Sequence, residues 1–532
     1  MLALLIALMA TGGCFAPLVE KARPGGGRWL TLAILLAACA LLLGEVAAFS
    51  PTRGTQPLDS LAAPDWWQQV SLPWIPRFGI RFSLALDGLS FALLLLTLAM
   101  GLFALLATWS QVKYRCGFFY ANYLWVLAGI VGVFTAVDLF LFFFFWEVML
   151  IPMLLLIAIW GYEARTAAAI KFFIFTQASS LLMLVAIIAL VFIHYRATGE
   201  VTFAYEALLS SQRSPEAAYW LMLGFFVAFA VKLPSIPFHT WLPDAHTQAP
   251  TAGSILLAAI LLKTGAYGLI RFVLPLFPEA SQTFAPVAMA LGAISVVYGA
   301  VLAFAQSDMK RLVAYSSVSH MGFVLLGIYA FNVVAFQGAL VQLFAHGLST
   351  AALFALVGRL QHQLHTRDMG HMGGLWSTLP RLSAFVLFFA VASLGLPGLG
   401  NFVAEFLVLL GAFGRSAPLA VFAALGMIGA AIYALVMVQR SLFGPPSAQV
   451  SSTPDAGALP QGLTDLSVRE WLALLALALT LVFIGLRPQP LMDSVAPAIE
   501  KALAGEQAVT SKPVARSVPT TQEMTINTGG RP

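Results

Sequence analysis

Charge is what this sequence has least of. Asp, Glu, Lys and Arg make up 10% of its 532 residues while 60% are hydrophobic, where soluble domains carry about a quarter charged. That imbalance excludes a water-soluble globular chain. Cysteine is nearly missing too: Cys14, Cys39 and Cys116 stand far apart with no C-x-x-C pair, which leaves neither a disulfide framework nor a thiolate metal site. Basic residues form no cluster, so the net charge of +5 is diffuse and excludes nucleic acid as a partner. The eight histidines contain no H-E-x-x-H, and the glycines build no P-loop or dinucleotide fingerprint. No cofactor or metal is expected in this chain itself.

What is present in quantity is apolar sequence of bilayer length. The pattern predicts fourteen membrane helices, at 1–19, 29–49, 84–109, 117–137, 139–160, 170–194, 218–240, 253–275, 282–306, 312–331, 333–357, 383–414, 417–443 and 468–486. The first has no basic residue ahead of its apolar core, so it reads as a retained helix and not a cleaved signal. Between the helices, 50–83 is a sizeable loop, 445–466 a Pro/Ser/Gly-rich linker, and 487–532 a polar, loosely held tail. Lys and Arg favour the odd-numbered loops about two to one, which places those loops in the cytoplasm and both termini on the other side. Lys232 and Lys263 are the basic residues set apart in this reading as lying inside predicted helices.

"FFVAFAVKLP" (225–234) aligns without gaps on "FFAVASLGLP" (388–397). These segments belong to the seventh and twelfth predicted helices, five spans apart. An odd offset inverts a duplicated unit in the membrane, and Pro and Gly interrupting corresponding helices of two halves point to a transport site. The expected fold is therefore an all-α polytopic membrane protein with two inverted five-helix repeats and broken helices seven and twelve. Residues 1–116 would hold the first three helices and the extracytoplasmic loop, 117–275 the first repeat, and 276–444 the second. The linker, the helix at 467–486 and the tail follow.

"LFLFFFFWEVMLIPM" (139–153) sets Glu147 inside one of the most apolar stretches. Intramembrane ionisable groups are costly, face the bundle interior, and mark ion paths or proton relays. Glu147, Lys232, Lys263 and Glu405 all lie within predicted spans, with His320 and His346 in helices ten and eleven. A carboxylate beside a buried lysine holds it charged, and its loss lets the lysine release a proton. The expected row is Glu147 paired with Lys232, then Lys263, the histidines, and Glu405. Histidine suits its middle because it titrates near neutrality. Each group has a plainer role available: a structural ion pair, a carbonyl partner at a helix break, a satisfied core histidine. Thr176, Gln177, Ser179, Ser180, Ser316, Ser317 and Ser319 are expected to join helices by hydrogen bonds or to hold water. In "HTWLPDAHTQAP" (239–250), His239, Asp244 and His246 have irregular spacing for a metal, and a tight hydrogen-bonded loop is expected instead. Asp308, Lys310 and Arg311 read as interfacial anchors.

"FFFFWEVMLIPM", "KLPSIPFHTWLPDAHTQAPTAGSILLAAILLKTGAYGL", "SDMKRLVAYSSVSHMGF" and "LPGLGNFVAEF" closely resemble the antiporter-like membrane subunits of respiratory complex I, the proton-pumping NADH:quinone oxidoreductase. The resemblance runs from the first helix to the last. It is to the M type, because no long lateral helix follows the fourteenth span and Glu405 stands where the L type has lysine. The resemblance implies proton translocation through Glu147, Lys232, Lys263, His320, His346 and Glu405. It implies homologous chains L and N as neighbours in a bacterial inner membrane. NADH, FMN, iron–sulfur clusters and quinone would be bound by other subunits. A D-type subunit of a multisubunit Na+/H+ antiporter, a membrane-bound hydrogenase subunit and a non-pumping scaffold are the competing readings.

Overall fold

The computed structural model describes residues 1–49, 66–444 and 463–510. Most of the predicted linker 445–466, and the tail beyond 510, lie outside them. Among the described residues, 13 helices are long and apolar enough to cross a membrane. In chain order the first six long helices are α1 (Leu2–Ala22), α2 (Gly26–Phe49), α3 (Gly88–Ala107), α4 (Cys116–Thr135), α5 (Leu139–Trp160) and α6 (Arg165–Thr198). Next come α7 (Pro215–Lys232), α8 (Thr251–Leu276), α9 (Pro278–Phe304), α10 (Met309–Tyr329) and α11 (Val333–Leu364). The last five are α12 (Pro380–Ser393), α13 (Gly400–Arg415), α14 (Ala417–Leu442), α15 (Val468–Leu486) and α16 (Gln489–Thr510). Every predicted span meets one of these helices, except that the twelfth meets two, α12 and α13.

The starts of several helices are written in single residues. Asp87 accepts from the Ser90 N–H at the head of α3, and Asp308 and Asn332 cap α10 and α11 in the same way. Ser467 and Glu470 form a reciprocal capping box on α15. Asp138 caps α5 through the N–H groups of Phe140 and Leu141, both at 3.0 Å. Its other oxygen accepts from the Arg81 N–H at 3.1 Å. Arg81 belongs to a two-stranded antiparallel hairpin, β1 (Gln68–Ile75) and β2 (Ile80–Leu86), which fills part of the predicted loop 50–83. Asp138 therefore ties the hairpin to the helix that carries Glu147. Burial raises its carboxyl above the ordinary carboxylate range against the pull of these N–H donors.

α8, α10 and α11 form the centre, with 100%, 94% and 100% of their most apolar windows buried. α7 and α3 pack on α8, and α10 and α13 on α11. A Cβ at Gly265 of α8 would stand 2.6 Å from the Phe229 carbonyl oxygen of α7, so only glycine permits this approach. Two π-helical segments, Leu257–Leu261 and Leu269–Val273, flank the middle of α8. Helical geometry stops at Lys232, and residues 241–248 form a separate short helix where a loop was expected. Between α12 and α13 the chain turns through Gly395 and Gly398, whose φ values of 85° and 94° favour glycine.

The tail departs from expectation. Residues 489–510 are helical, and Met492, Val495, Ile499 and Leu503 are buried as α16 packs on α3, α9 and α11. Their spacing of three or four residues is that of one helix face, a signal that the polarity of the rest of the tail masked.

Candidate functional site

The densest set of buried polar groups begins at the middle of α8. Lys263 is fully buried. Its Nζ donates to the Ala258 carbonyl, five residues back in the first π segment, at 2.6 Å, and meets His346 Nδ1 on α11 at 2.7 Å. An ammonium has only donors, so a charged Lys263 makes His346 Nδ1 the acceptor and puts the imidazole proton on Nε2. That Nε2 has no protein partner. π segments occur often at functional sites because they free backbone groups from the regular ladder; here one supplies a carbonyl to a buried cation.

The His346 ring stands edge-on to His320 of α10, with centroids 5.6 Å apart. His320 Nδ1 lies 2.8 Å from Glu405 Oε1 on α13. On the far side, His320 Nε2 meets Ser393 Oγ of α12 at 2.9 Å and the Tyr433 hydroxyl of α14 at 3.3 Å. Gln342 of α11 completes the cluster, its Nε2 being 3.1 Å from Glu405 Oε1 and 3.2 Å from His320 Nδ1. Glu405 Oε2 has no partner. Sequence reasoning found the two histidines and the glutamate. It missed Gln342, Ser393 and Tyr433, neutral residues whose placement depends on three different helices.

The other half of the expected row is looser. Lys232, at the end of α7, is 1% exposed and its Nζ has no hydrogen-bond partner. The ammonium lies over the rings of Trp146 (5.5 Å) and Phe172 (5.3 Å), which offset part of its desolvation. The expected direct pairing with Glu147 is not made: the described residues hold no ion pair between them within bonding distance. Glu147 instead accepts from Ser180 Oγ of α6 at 2.5 Å and is only half-buried. Thr176 is buried and donates to the Phe172 carbonyl of its own helix at 2.6 Å. Gln177, half-buried, offers its carbonyl to Ser180. Ser316 and Ser317 likewise bond back within α10, while Ser180 and Ser319 reach another helix and Ser316 also meets the Tyr433 hydroxyl of α14. These hydroxyls thus divide between bonds within their own helix and bonds that join helices.

Around the turn into α8, Asp244 pairs with Lys171 (2.6 Å) and Arg311 (3.3 Å). His239 is buried, beside Tyr298. His246 is fully buried, stacked on Phe354 at 4.6 Å, with neither ring nitrogen hydrogen-bonded. Asp308 pairs with Arg367 at 2.5 Å. Lys310 is not the anchor expected from sequence. It is fully buried, donates to the Ala249 carbonyl at 2.6 Å, and lies over the Tyr162 ring at 4.9 Å.

Toward the opposite end of α8 is a pair that the sequence reading also missed. Arg271 falls inside the span, not in a loop, and forms a buried ion pair with Asp87. Burial alone would raise the Asp87 carboxyl. The Arg271 guanidinium outweighs it and holds the group below the usual carboxylate range. Nothing in "YGLIRFVLP" distinguishes an arginine at a helix end from one paired within it, because the partner lies 184 residues away.

From Ala258 to Glu405, then, two hydrogen-bonded groups on four helices, Ala258–Lys263–His346 and His320–Glu405, meet at the contact of the two histidine rings. Such an array offers several buried sites at which a proton can be held and short paths within each group along which it can pass.

A family profile described as NADH:quinone oxidoreductase/Mrp antiporter, TM matches residues 136–432. The chain is 52% identical over 500 residues to NADH-quinone oxidoreductase subunit M of Pseudomonas aeruginosa, covering 92% of this chain and 94% of the relative. It is also 52% identical over 474 residues to the subunit M of Escherichia coli K12, covering 88% and 90%. Among solved structures, a chain of respiratory complex I from Thermus thermophilus matches with a TM-score of 0.82 at 32% identity, covering 95% of this chain and 99% of that one. A chain of the Mrp complex from Dietzia matches at 0.77 and 24% identity, over 94% and 52%, a likeness of fold.

Proposed function

The chain belongs to the NADH:quinone oxidoreductase/Mrp antiporter membrane-subunit family, among the M subunits of NADH-quinone oxidoreductase, and from that premise we propose how it works. It is a proton-translocating subunit of the membrane arm. Protons move through Glu147, Lys232, Lys263, His346, His320 and Glu405, driven by redox chemistry in other subunits. NADH, FMN, iron–sulfur clusters and quinone are bound by those subunits, and homologous chains L and N are the neighbours. The observation that carries this reading is the array of Lys263, His346, His320 and Glu405, four titratable side chains completely or almost completely buried, hydrogen-bonded as the pairs Lys263–His346 and His320–Glu405, with the two histidine rings in edge contact between the pairs.

The division of labour follows from the two halves. The Lys263-to-Glu405 half consists of two hydrogen-bonded pairs, within which protons cross by short transfers, and one step between the two histidine rings, whose centroids stand 5.6 Å apart and which share no hydrogen bond. The Glu147–Lys232 half is held apart, with Lys232 over aromatic rings, so it acts through charge: protonating or ionising Glu147 alters how readily Lys232 gives up its proton. Helices α7 and α12–α13, read as the broken pair of an inverted repeat spanning 117–275 and 276–444, provide the flexible points at the two ends. His239, Asp244, Thr176 and Gln177 support this path from the turn and from α6. Both termini face the periplasm.

The test is NADH-driven proton uptake in inverted membrane vesicles carrying Glu147→Gln, normalised to assembled complex. Uptake should fall several-fold at normal assembly. Normal uptake at normal assembly would make Glu147 packing chemistry and sink the relay as drawn. The shared fold with an Mrp complex chain keeps a Na+/H+ antiporter as the second reading. Co-purification of a tagged chain with flavin and NADH oxidation supports the first reading. Co-purification with small membrane subunits alone supports the second.

A further inference from the structure

Gln342 occupies a position that the relay, as proposed above, does not use. It is fully buried, and its amide nitrogen stands 3.1 Å from Glu405 Oε1 and 3.2 Å from His320 Nδ1 while those two atoms are 2.8 Å apart. Its carbonyl oxygen has no partner. A glutamine NH2 carries two donors and no acceptor, so it can serve the carboxylate and the imidazole lone pair from one place.

We propose that Gln342 is a positioning residue that latches the last proton transfer of the row, from His320 to Glu405. Before transfer, His320 Nδ1–H and a Gln342 N–H both donate to the ionised Glu405 Oε1. The proton then leaves Nδ1, breaking that N–H bond, and forms an O–H bond on Glu405, whose negative charge it neutralises. The imidazole is left with a lone pair on Nδ1, and the second Gln342 N–H donates to it. Gln342 gains and loses no proton. It replaces the hydrogen bond that the transfer removes, and it occupies the acceptor through which the proton would return. Glu405 Oε2 is unpartnered and lies near Gly395 at the turn between α12 and α13, so rotation of the protonated carboxyl about its Cγ–Cδ bond carries the O–H from the His320 side to that turn. On the other side of the ring, Ser393 and Tyr433 accept from or donate to Nε2 as the charge of His320 changes.

This inference rests on the relay reading, and the experiment separates the two. NADH-driven proton uptake is measured in inverted vesicles, in H2O and in D2O, for Gln342→Met, Gln342→Asn and Glu405→Gln, each normalised to assembled complex. Methionine keeps the length and loses both donors. Asparagine keeps the amide but falls one carbon short of reaching both partners. Uptake in Gln342→Met should fall several-fold with an increased solvent isotope effect, because the last transfer has become limiting, and Gln342→Asn should show the same increase. If Gln342→Met does not assemble, Gln342→Asn is read in its place. Wild-type uptake in the glutamine variants, or lower uptake with an unchanged isotope effect, overturns the latch while leaving the relay standing if Glu405→Gln is impaired. Wild-type uptake in Glu405→Gln removes the relay itself.

Discussion

At the scale of single residues, the molecule sorts its buried charges by how each is compensated. Asp87 and Arg271 neutralise one another, Lys310 and Lys263 lean on backbone carbonyls, and Lys232 has only aromatic faces. Removing one partner of a buried pair leaves the other uncompensated, a cost of about 3–5 kcal/mol. Asp87→Ala should therefore lower the amount of assembled complex markedly, and adding Arg271→Met should restore part of it, as read by native gel and immunoblot. Failure of the double substitution to recover would mean that Arg271 acts beyond its pair. The carboxylates and lysines of the proposed relay were legible in the sequence because charge inside apolar runs is conspicuous. Lys310 was misread because its basic neighbours at a helix start mimic an interfacial anchor, whereas its burial is created by Ala249 and Tyr162 from another part of the chain. Gln342 gave no signal at all. A glutamine in a membrane helix is chemically ordinary until its two acceptors, from α10 and α13, arrive beside it.

Elements carry the next level of information. The ends of α5 and α15 coincide with the predicted spans, since an aspartate or a capping box announces the start and the apolar run sets the length. What periodicity could not show is that α8 departs from α-helical geometry on both sides of Lys263, or that it lies so close to α7. Backbone cannot yield as a side chain can. Gly265→Val should reduce assembled complex severely, because its Cβ meets the Phe229 carbonyl and stands 2.8 Å from the Leu233 nitrogen. Gly414→Val, on the open end of α13 with no atom within 4 Å, should leave it within the range of ordinary surface substitutions. Equal effects of the two on complex abundance would contradict this packing. α16 escaped notice for a compositional reason: four buried apolar residues are few against a polar tail, and only the helix face unites them.

For the whole molecule, the bias of Lys and Arg among loops predicts an orientation that labelling can test. In a background with Cys14, Cys39 and Cys116 replaced, a cysteine at Gly199 should react with a membrane-impermeant maleimide in intact spheroplasts. A cysteine at Glu163 should react only in inverted vesicles; both positions are exposed. The opposite pattern would invert the topology. A final consequence concerns the chain before it has any neighbour. Phe144, Glu147 and Ile151 share one face of α5, the two apolar residues are 41% and 54% exposed, and Glu147 between them is only half-covered. A copy without neighbours thus leaves a carboxyl partly uncovered on an otherwise apolar face, where an ionisable group is costly. A neighbouring chain seated on that face would cover a carboxyl and two large apolar side chains at once, so assembly and the proposed role of Glu147 would be prepared at the same surface.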